Sequence, residues 1–418
     1  MKILVIGGGG REHAIVWKLA QSPKVSKIYC APGNGGIASL AECVDVKATD
    51  LDGIANWVKN NPVDLVVVAP DDPLAMGMVD RLQAEGIRAF GPDKKAAYIE
   101  ASKVFSKDLM KKYNIPTAKY EIFEEPDKAK EYLKTCTFPT VIKAEGLALG
   151  KGVIIAQDLQ SAIDAVDEIM VAKRFGQSGS RIVIEEFMVG QEVSMVTFTD
   201  GNVVVPMVSA QDHKRVFDND EGPNTGGMGV FSPSRIYTKE VADYCMEKIF
   251  IPTIQAMEKE GRKFKGILYF GLMITKDGPK VVEYNARFGD PETQAVLPRL
   301  KTDLIDIFDA IMDEKLDKLD IEWYEGGSAC VVMASGGYPG DYKTGYEITG
   351  IEQAEKTGCI VFSAGTKLND EKLVTAGGRV LGVTAIGENL DKALEKAYAG
   401  VKKIHFEKAH YRKDIGIK

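Results

Sequence analysis

Several charged residues in this sequence lie beside glycines or within apolar runs, a combination suited to binding phosphates. Lys143 interrupts an apolar run that leads into a loop, residues 146–152, in which glycines surround a second lysine. Such a loop lets backbone amides approach phosphate oxygens closely. Glu283 and Asn285 are two residues apart on a predicted strand, so their side chains point to one face. A carboxylate and an amide oxygen suit a Mg²⁺ ion that bridges phosphates, so these residues predict a site for phosphoryl transfer.

Each of these features also has a simpler interpretation. The loop at residues 146–152 could be a flexible hairpin tip, and Lys143 could extend its ammonium group from a sheet edge into water. The loop is not a Walker A motif, because Gly152 stands where that motif needs serine or threonine. Glu283 and Asn285 could lie on a solvated strand end, although the dense charge that follows them disfavours this. The charged residues in question are Arg287, Asp290 and Glu292.

A second glycine-rich turn, residues 7–10, connects an apolar run to a predicted helix near the N-terminus. Free backbone N–H groups and the helix dipole at such a turn attract phosphate or carboxylate. The dinucleotide fingerprint G-x-G-x-x-G is not met, because Glu12 occupies its third glycine position. The second predicted strand also ends without the acidic residue that an NAD ribose needs. We therefore expect an anion site, and the alternative is a tight turn that binds nothing.

Two polar and glycine-rich segments, residues 212–215 and 222–229, form a stretch that is too long for a simple turn. A functional loop is the usual reason for such a segment. Within it, His213 could be a general base or a hydrogen-bonding spacer.

The elements predicted around these residues are those of an α/β protein. The first hundred residues alternate apolar runs with helical patterns, which indicates a parallel, doubly wound sheet. Further along, Asp200-Gly201 and Asp277-Gly278 predict two-residue hairpin turns in an antiparallel region. The residues from 327 onward show short strands and a closing helix.

The composition excludes several other classes of function. The sequence is 45% hydrophobic, and its net charge of −7 gives no electrostatic footprint for nucleic acid or an anionic membrane. The six cysteines are far apart, so we expect buried, reduced thiols. No apolar run has the length of a signal peptide core or a membrane span. We expect a cytoplasmic protein with no nucleic-acid or membrane partner.

Taken together, these stretches resemble the glycinamide ribonucleotide synthetase family, a purine-biosynthesis family of the ATP-grasp superfamily. Each motif alone is weak, but their order and joint presence along essentially the whole chain are specific. The motifs are residues 9–14, 31–34, 90–92, 102–103, 141–144, 146–152, 184–187, 211–215, 222–229, 287–292 and 413–416.

The resemblance implies a multi-domain α/β chain. A substrate-binding domain with an N-terminal Rossmann-like parallel sheet would occupy residues 1–101. An ATP-grasp domain with a small α+β lid at about 117–187 would occupy residues 102–326. A small C-terminal α/β domain with short strands would occupy residues 327–418.

The resemblance also implies an ATP-dependent carbon–nitrogen ligase that works as a monomer with Mg²⁺ or Mn²⁺. It would join glycine to 5-phosphoribosylamine through a glycyl phosphate, giving glycinamide ribonucleotide, ADP and phosphate. Phosphoryl transfer of this kind needs positioning and charge neutralisation more than covalent help from the protein. The absence of a nucleophilic cysteine or serine motif agrees with that.

The roles of the site residues follow from the resemblance, position by position. The residues expected at ATP are Lys103, Lys143, Gly150, Lys151, Gly152, Glu185, Glu186, Phe187 and Glu192. Those expected at the other substrates are Gly8, Gly9, Gly10, Arg11, Asn34, Asp71, Asp212, Arg215, Asn224, Thr225 and Gly226. The expected metal ligands are Glu283 and Asn285, and the expected catalytic residues are Arg287, Asp290 and Lys214. The glycine turn at residues 8–10 would hold the ribose 5-phosphate.

The sequence departs from the family pattern at three places. Leu149 replaces the second alanine that the family usually has in the glycine-rich loop. Asp71 stands where the family usually has glutamate. The stretch Gly271-Leu272-Met273 lacks a second metal-binding glutamate found in many ATP-grasp enzymes, so Glu283 would serve both ions.

Three rival functions stay open. Another ATP-grasp ligase with a different acid and amine is the nearest. An NAD-linked oxidoreductase is disfavoured by the broken fingerprint. A non-catalytic nucleotide sensor is disfavoured because Lys143, Glu283 and Asn285 are all present.

Overall fold

The structure, a computed structural model, describes residues 1–147 and 152–417. Its first region forms a five-stranded parallel sheet in the order β3-β2-β1-β4-β5. The elements are β1 Lys2–Gly7, α1 Gly10–Leu19, β2 Lys27–Pro32, β3 Glu42–Cys43, α2 Leu51–Asn60, β4 Leu65–Val68, α3 Asp71–Met76, α4 Met78–Gln83, β5 Ala89–Phe90 and α5 Lys94–Ala101. Neighbouring β1 residues such as Ile3 and Leu4 pack into different cores. The sheet is therefore covered on both faces, as its continuous apolar strands predicted.

A small second sheet follows in the order β6-β9-β7-β8. Its elements and the helix before it are α6 Lys103–Lys112, β6 Tyr120–Phe123, α7 Pro126–Leu133, β7 Thr140–Ala144, β8 Val153–Ala156, α8 Leu159–Val166 and β9 Ile182–Glu186. Ser102 caps α6 by accepting the N–H of Phe105. The helices α7 and α8 cover one face of the sheet and form a separate core with it. We call this unit the lid sheet.

A longer antiparallel region comes next. Four of its strands form a sheet in the order β11-β10-β16-β17, and β13 pairs with β14 as a separate hairpin. The elements are β10 Gly190–Thr199, β11 Val204–Pro206, β12 Gln211–Asp212, β13 Arg215–Phe217, β14 Glu221–Asn224, β15 Gly229–Ser232, α9 Lys239–Cys245, α10 Ile251–Lys259, β16 Gly266–Thr275, β17 Gly278–Asn285, α11 Glu292–Val296 and α12 Leu304–Met312.

The first predicted hairpin turn of this region is wrong. Thr199 pairs with Val204, which leaves the four residues 200–203 where the sequence predicted the two-residue turn Asp200-Gly201. The buried Asp200 carboxylate accepts two backbone N–H groups within this loop. Such local side-chain hydrogen bonds compete with strand pairing, and here they lengthen the turn.

The second predicted hairpin turn is displaced by one residue. Thr275 pairs with Gly278, so the turn consists of Lys276 and Asp277. Gly278 already belongs to β17, with a φ of 106° that favours glycine.

The C-terminal region completes a sheet that begins before it. The strand order is β12-β15-β18-β22-β19, and β23 also pairs with β18. The elements are β18 Gly327–Ser335, α13 Ile351–Glu355, β19 Ile360–Ser363, β20 Thr366–Asn369, β21 Lys372–Thr375, β22 Arg379–Gly387, α14 Leu390–Val401 and β23 Ala409–His410. Because β15 pairs with β18, the sheet continues across the predicted domain boundary at residue 327.

These sheets confirm the predicted multi-domain α/β class. Within residues 1–147 and 152–417, no helix is both long enough and apolar enough to cross a membrane. The six cysteines are free, as expected. The expectation that all would be buried is wrong, since Cys43 is exposed and Cys136 is half-buried.

Candidate active site

A cavity of about 300 Å³ is lined by residues from α3, α5, α6, β7 to β10, β12, β14, β16, β17 and α11 and from the loops around them. The predicted site residues that line it are Asp71, Lys103, Lys143, Gly152, Glu185, Glu186, Phe187, Glu192, Asp212, Lys214, Asn224, Thr225, Gly226, Glu283, Asn285, Arg287 and Asp290. Gly150 and Lys151 lie outside the described residues. The fold therefore brings most of the predicted residues to one place.

Two buried lysines hold the Glu185 carboxylate in the cavity wall. Glu185 Oε2 lies 3.1 Å from Lys107 Nζ and 3.0 Å from Lys143 Nζ. Lys143 also donates to the carbonyl of Val282 at 3.1 Å, where the register of β17 shifts. Burial lowers the pKa of Lys107 to about 8, and Glu185 opposes that shift. Lys143 is thus part of the cavity wall and does not extend from a sheet edge into water.

The cavity near Glu185 has apolar walls and one unpaired acceptor. The apolar lining residues are Val141, Val153, Ile155, Met188 and Met273. Among the described residues, no hydrogen-bond donor contacts the buried Oε1 atom of Glu185. Apolar walls with a small number of placed polar groups are the usual surroundings of a bound small molecule, and here they suit a planar base that carries an amino group.

Lys103 connects the start of α6 to the glycine-rich loop. Its Nζ donates to the carbonyl of Gly146 at 3.0 Å, and its backbone N–H donates to the carbonyl of Glu145 at 3.0 Å. The Ser102 hydroxyl donates to the Glu145 carboxylate. Burial lowers the pKa of Lys103, and the charge of Glu283 opposes that shift. Lys103 therefore lies where the predicted phosphate loop begins.

Glu283 and Asn285 both line the cavity from β17, as their spacing predicted. Lys214 Nζ lies 3.9 Å from Glu283 Oε1 and 2.8 Å from Glu192 Oε2. Burial alone would raise the pKa of Glu283, but the nearby lysines, Lys214 first among them, outweigh burial and hold the pKa below its ordinary value. The carboxylate is therefore charged.

The chemistry of these two side chains fits a metal ion that is shared with phosphates. Among the described residues, no group of three or more His, Cys, Asp or Glu side chains could hold an ion. One carboxylate and one amide oxygen leave most positions of an octahedral ion to phosphate oxygens and water. That is the usual arrangement for Mg²⁺ at a nucleotide.

Arg287 is held by two carboxylates. Its Nη2 lies 3.3 Å from Glu100 Oε1 and 4.0 Å from Asp71 Oδ2. Glu100 also accepts the N–H of Ala286 at 2.7 Å. Burial raises the pKa of Glu100 to about 7, and Arg287 opposes that shift. Burial acts on Asp71 in the same direction, but Arg287 and Arg11 outweigh it and lower the Asp71 pKa.

Asp290 lies between Gln294 and an arginine of the C-terminal region. Its Oδ1 accepts from Gln294 Nε2 at 2.8 Å and lies 3.4 Å from Arg379 Nη2. Burial alone would raise the pKa of Asp290, but Arg379 and Arg11 hold the pKa below its ordinary value.

A buried carboxylate pair completes this part of the cavity. Burial and then the charge of Glu292 raise the pKa of Asp212 well above its ordinary value. The Ser194 hydroxyl donates to Glu292 at 2.8 Å and lies 2.9 Å from the Tyr269 hydroxyl. This group of acidic side chains would accept the ammonium or amine group of a substrate.

The N-terminal glycine turn packs beside the cavity without lining it. A Cβ atom at Gly9 would lie 3.5 Å from Asp290 Oδ2, which shows how near the turn is. The N–H of Gly9 donates to the Glu12 carboxylate at 2.7 Å. The Glu12 carboxylate therefore accepts one of the backbone N–H groups that were predicted to bind an anion. The sequence did not indicate this contact.

Three predicted substrate residues make other contacts and do not line the cavity. Arg11 Nε lies 2.5 Å from the neighbouring Glu12 carboxylate. The Asn34 amide donates to two backbone carbonyls, both at 2.9 Å. Arg215 donates to the carbonyl of Gly222 at 2.6 Å.

His213 has the geometry of a spacer. It is buried, and its Nε2 accepts the N–H of Gly416 at 3.4 Å. Burial lowers its pKa to about 4, so the ring is neutral near pH 7. It does not line the cavity, which disfavours the alternative of a general base.

Sequence reasoning missed Lys107, Glu100 and Tyr269, which all line the cavity. Lys107 follows Lys103 by four residues on α6, so helical spacing could have found it. Glu100 and Tyr269 belong to regular elements and carry no sequence signal that distinguishes them.

Three family models match the chain in order. The N domain of phosphoribosylglycinamide synthetase matches residues 1–100, its ATP-grasp (A) domain matches residues 101–293, and its C domain matches residues 328–418. A Clostridium acetobutylicum protein named phosphoribosylamine–glycine ligase is 50% identical over 100% of this chain and 99% of that protein. An Escherichia coli protein of the same name is 49% identical over 100% of this chain and 98% of its own length.

A solved structure agrees with these matches. The crystal structure of phosphoribosylamine–glycine ligase from Thermotoga maritima covers 100% of both chains, with a TM-score of 0.85 and 34% identity. The chain therefore belongs to the phosphoribosylglycinamide synthetase family of ATP-grasp proteins.

Proposed function

We propose that this protein is an ATP-dependent carbon–nitrogen ligase that joins glycine to 5-phosphoribosylamine in purine biosynthesis. Its products are glycinamide ribonucleotide, ADP and phosphate. The observation that carries the proposal is that Lys103, Lys143, Glu283, Asn285 and Arg287 line one cavity in a member of this family.

The chemistry requires activation of a carboxylate. Glycine alone is a poor electrophile, because its leaving group would be oxide or hydroxide. Transfer of the γ-phosphoryl group of ATP gives glycyl phosphate, and the amine then attacks its carbonyl carbon and expels phosphate. Fixed positive charge and close positioning lower the barrier for both steps. Arg287, held by Glu100 and Asp71, and Lys214, held by Glu192, supply such charge.

ATP binds in the part of the cavity around Glu185. The adenine packs between the apolar walls and donates its amino group to the unpaired oxygen of Glu185. Glu186 and Phe187 lie beside the base, and Glu192 contacts the ribose. The residues that contact the phosphates are Lys103, Lys143 and residues 150–152.

The reaction uses a divalent metal ion, which we propose is Mg²⁺ or Mn²⁺. Glu283 and Asn285 would hold it together with phosphate oxygens, and Glu283 would serve both ions if two bind. When bound, the ion neutralises charge on the transferred phosphoryl group. The Glu283 carboxylate is charged before any ion binds, so it needs no deprotonation first.

The other substrates bind on the acidic side of the cavity. Asp71, Asp212 and residues 224–226 contact glycine and the amine, and Asp290 orients the amine for attack. The glycine turn at residues 8–10, with Arg11 and Asn34 beside it, receives the ribose 5-phosphate at the cavity edge. We assign Arg215 to the structure of its hairpin and not to substrate contact.

We also propose that the protein is a cytoplasmic monomer with domain boundaries near residues 101 and 326. Gel filtration with light scattering tests the first part, and limited proteolysis tests the second.

The direct test is release of ADP with ATP, glycine and freshly prepared phosphoribosylamine, each omitted in turn. We expect ADP and glycinamide ribonucleotide in equal amounts only when all three are present. Product formation from a different acid or amine at a higher kcat/KM would contradict the proposal.

A further inference from the structure

The hairpin β13–β14 carries cavity residues at its base. Lys214 precedes β13, Asn224 ends β14 and Thr225 follows, and all three line the cavity. The backbone N–H and the hydroxyl of Thr225 both donate to the Lys214 carbonyl at 2.8 Å. The positions of these side chains therefore depend on the shape of the hairpin.

Interactions within the hairpin are not sufficient to stabilise its conformation. A two-stranded hairpin alone is marginally stable in water. Its tip includes Asn219 and Asp220 at φ values of 61° and 59°, a left-handed conformation that Asn and Asp adopt more readily than other side chains but that still costs free energy. The strand β14 is exposed along its whole length. Contacts with the rest of the chain must therefore stabilise the conformation of the hairpin.

The C-terminal segment, residues 408–417, supplies contacts at the tip. Arg412 is fully buried and donates to the Asp220 carboxylate at 2.9 Å and to the Arg215 carbonyl at 3.0 Å. Asp414 accepts from Nε and Nη2 of Arg412, each at 2.8 Å. The same carboxylate accepts the N–H of Asn219 at 2.8 Å. A planar guanidinium group thus links the segment to strand β13 and to the tip of the hairpin.

The C-terminal region also supplies contacts at the base. Arg379, the first residue of β22, donates to the carbonyl of Gly226 at 2.6 Å and to the carbonyl of Asp290 at 2.8 Å. The Tyr338 hydroxyl accepts the N–H of Gly226 at 3.1 Å. Gly226 and Asp290 both line the cavity.

We propose that Arg412 and Arg379 are positioning residues of the ligase reaction. Neither lines the cavity. Arg412 acts through the hairpin on Lys214, Asn224 and Thr225, whereas Arg379 acts through Gly226 at the base of the hairpin and through Asp290. The inference rests on the proposed function. It also gives a role to Asp414 of the motif at residues 413–416, which the ligase chemistry leaves without one.

The test uses Arg412→Lys and Arg379→Lys in the full-length protein. Lysine keeps the positive charge but cannot reproduce the planar fork of hydrogen bonds. We expect kcat/KM with glycine varied to fall by roughly tenfold to a hundredfold, since small misplacements of reacting groups cost that much. We also expect more ADP per molecule of product. The Kd for ADP should stay within about twofold, because the contacts around Glu185 are unchanged.

Lys413→Ala is the matched control, because Lys413 is exposed between Arg412 and Asp414 and should leave kinetics unchanged. If Arg412→Lys does not fold, Asp220→Asn weakens the same contact from the exposed tip. The inference would be overturned if the arginine variants kept the wild-type kcat/KM and the wild-type ratio of ADP to product. It would also be overturned if their affinity for ADP fell by the same factor as kcat/KM. Failure of the wild-type protein to form product would instead refute the proposed function.

Discussion

Glu283 is the residue on which the proposed metal site depends most. It shares the cavity with Lys214, Lys143 and Lys103, and their charges keep its carboxylate ionised. Removal of this carboxylate would take away one metal contact and leave those lysines with less negative charge nearby.

We predict that Glu283→Ala lowers turnover by about 10²–10³-fold or more, because it removes a group that stabilises charge in the transition state. The Mg²⁺ concentration for half-maximal activity should rise. Initial rates across a Mg²⁺ titration give both numbers, and thermal unfolding checks that the fold is intact. Exposed Glu121 provides the control variant Glu121→Ala. Unchanged rates with unchanged Mg²⁺ dependence would refute the assignment.

The sequence predicted only part of the site. Lys143 and Glu185 were predicted because each belongs to a recognisable motif. Lys107 completes their ion-pair network, but it lies on an ordinary amphipathic helix and only the fold brings it to Glu185. In the sequence, Glu12 was notable only because it stands where the dinucleotide motif needs glycine. In the structure, its carboxylate accepts the N–H of Gly9. The contact between Lys107 and Glu185 depends on tertiary packing, whereas the contact between Glu12 and Gly9 is a local capping interaction at the start of α1.

The lid sheet has a hydrophobic core of its own, which allows it to move as a unit. Residues such as Ile142, Ala162 and Ile184 form a core of their own, apart from the cores of the other sheets. The lid sheet also contributes Lys143, Glu185 and part of the apolar wall to the cavity. An acyl phosphate exposed to water would hydrolyse, so the cavity must be covered during transfer.

We predict that a non-hydrolysable ATP analogue slows hydrogen exchange in the peptide that covers β7, β8 and their connection. Closure over the nucleotide would restrict opening of this segment. Mass spectrometry with and without the analogue measures the change, and a peptide from the buried strand β18 serves as the internal control. Equal exchange in both states would show that the lid sheet does not close on ATP.

The helix α1 is coupled to the C-terminal region through a neutral histidine. His13 is buried, and its Nδ1 accepts the N–H of Ser363 at 2.8 Å. Burial lowers its pKa from 6.5 to about 4. Between these two pH values the unfolded chain binds a proton that the folded chain does not. The contribution of His13 to folding stability is therefore fully present above pH 6.5 and is lost as the pH falls toward 4.

We predict that the wild-type protein loses stability between pH 7 and pH 5, and that His13→Asn loses less. The Asn carbonyl can accept the N–H of Ser363 but does not take up a proton. The His13 contribution to that loss is about 2 kcal/mol at pH 5. Thermal midpoints at both pH values give the comparison, with exposed His405→Asn as the control. The same pH dependence in His13→Asn and wild type would contradict the prediction.

The elements themselves were predicted better than their turns. Strands β7 and β8 lie where the apolar runs indicated, because strand propensity and burial favour the same residues. The turn at Asp200 differs because its carboxylate also accepts the N–H of Leu316, a contact from another part of the chain. Turn length there depends on that long-range contact as well as on the Asp-Gly sequence.

The sequence predicted the fold class and the order of the regions along the chain, but it did not predict the contacts between those regions. The strand β15 pairs with β18, Gly229 opposite Val331, so a sheet spans the predicted domain boundary. Arg379 and Arg412 reach the hairpin β13–β14 from the C-terminal region. Pairing between such distant segments leaves no periodic pattern in either one, so it could not be predicted from the sequence.

We propose that the carboxylate of glycine is phosphorylated in this cavity before the amine attacks. The most direct test is the reaction with glycine labelled with ¹⁸O in both carboxylate oxygens, followed by mass spectrometry of the released phosphate and nucleotide. We predict one heavy oxygen in the phosphate for each glycinamide ribonucleotide formed, and unlabelled ADP as the only nucleotide product. Unlabelled phosphate, or label recovered in AMP, would show that glycyl phosphate is not formed.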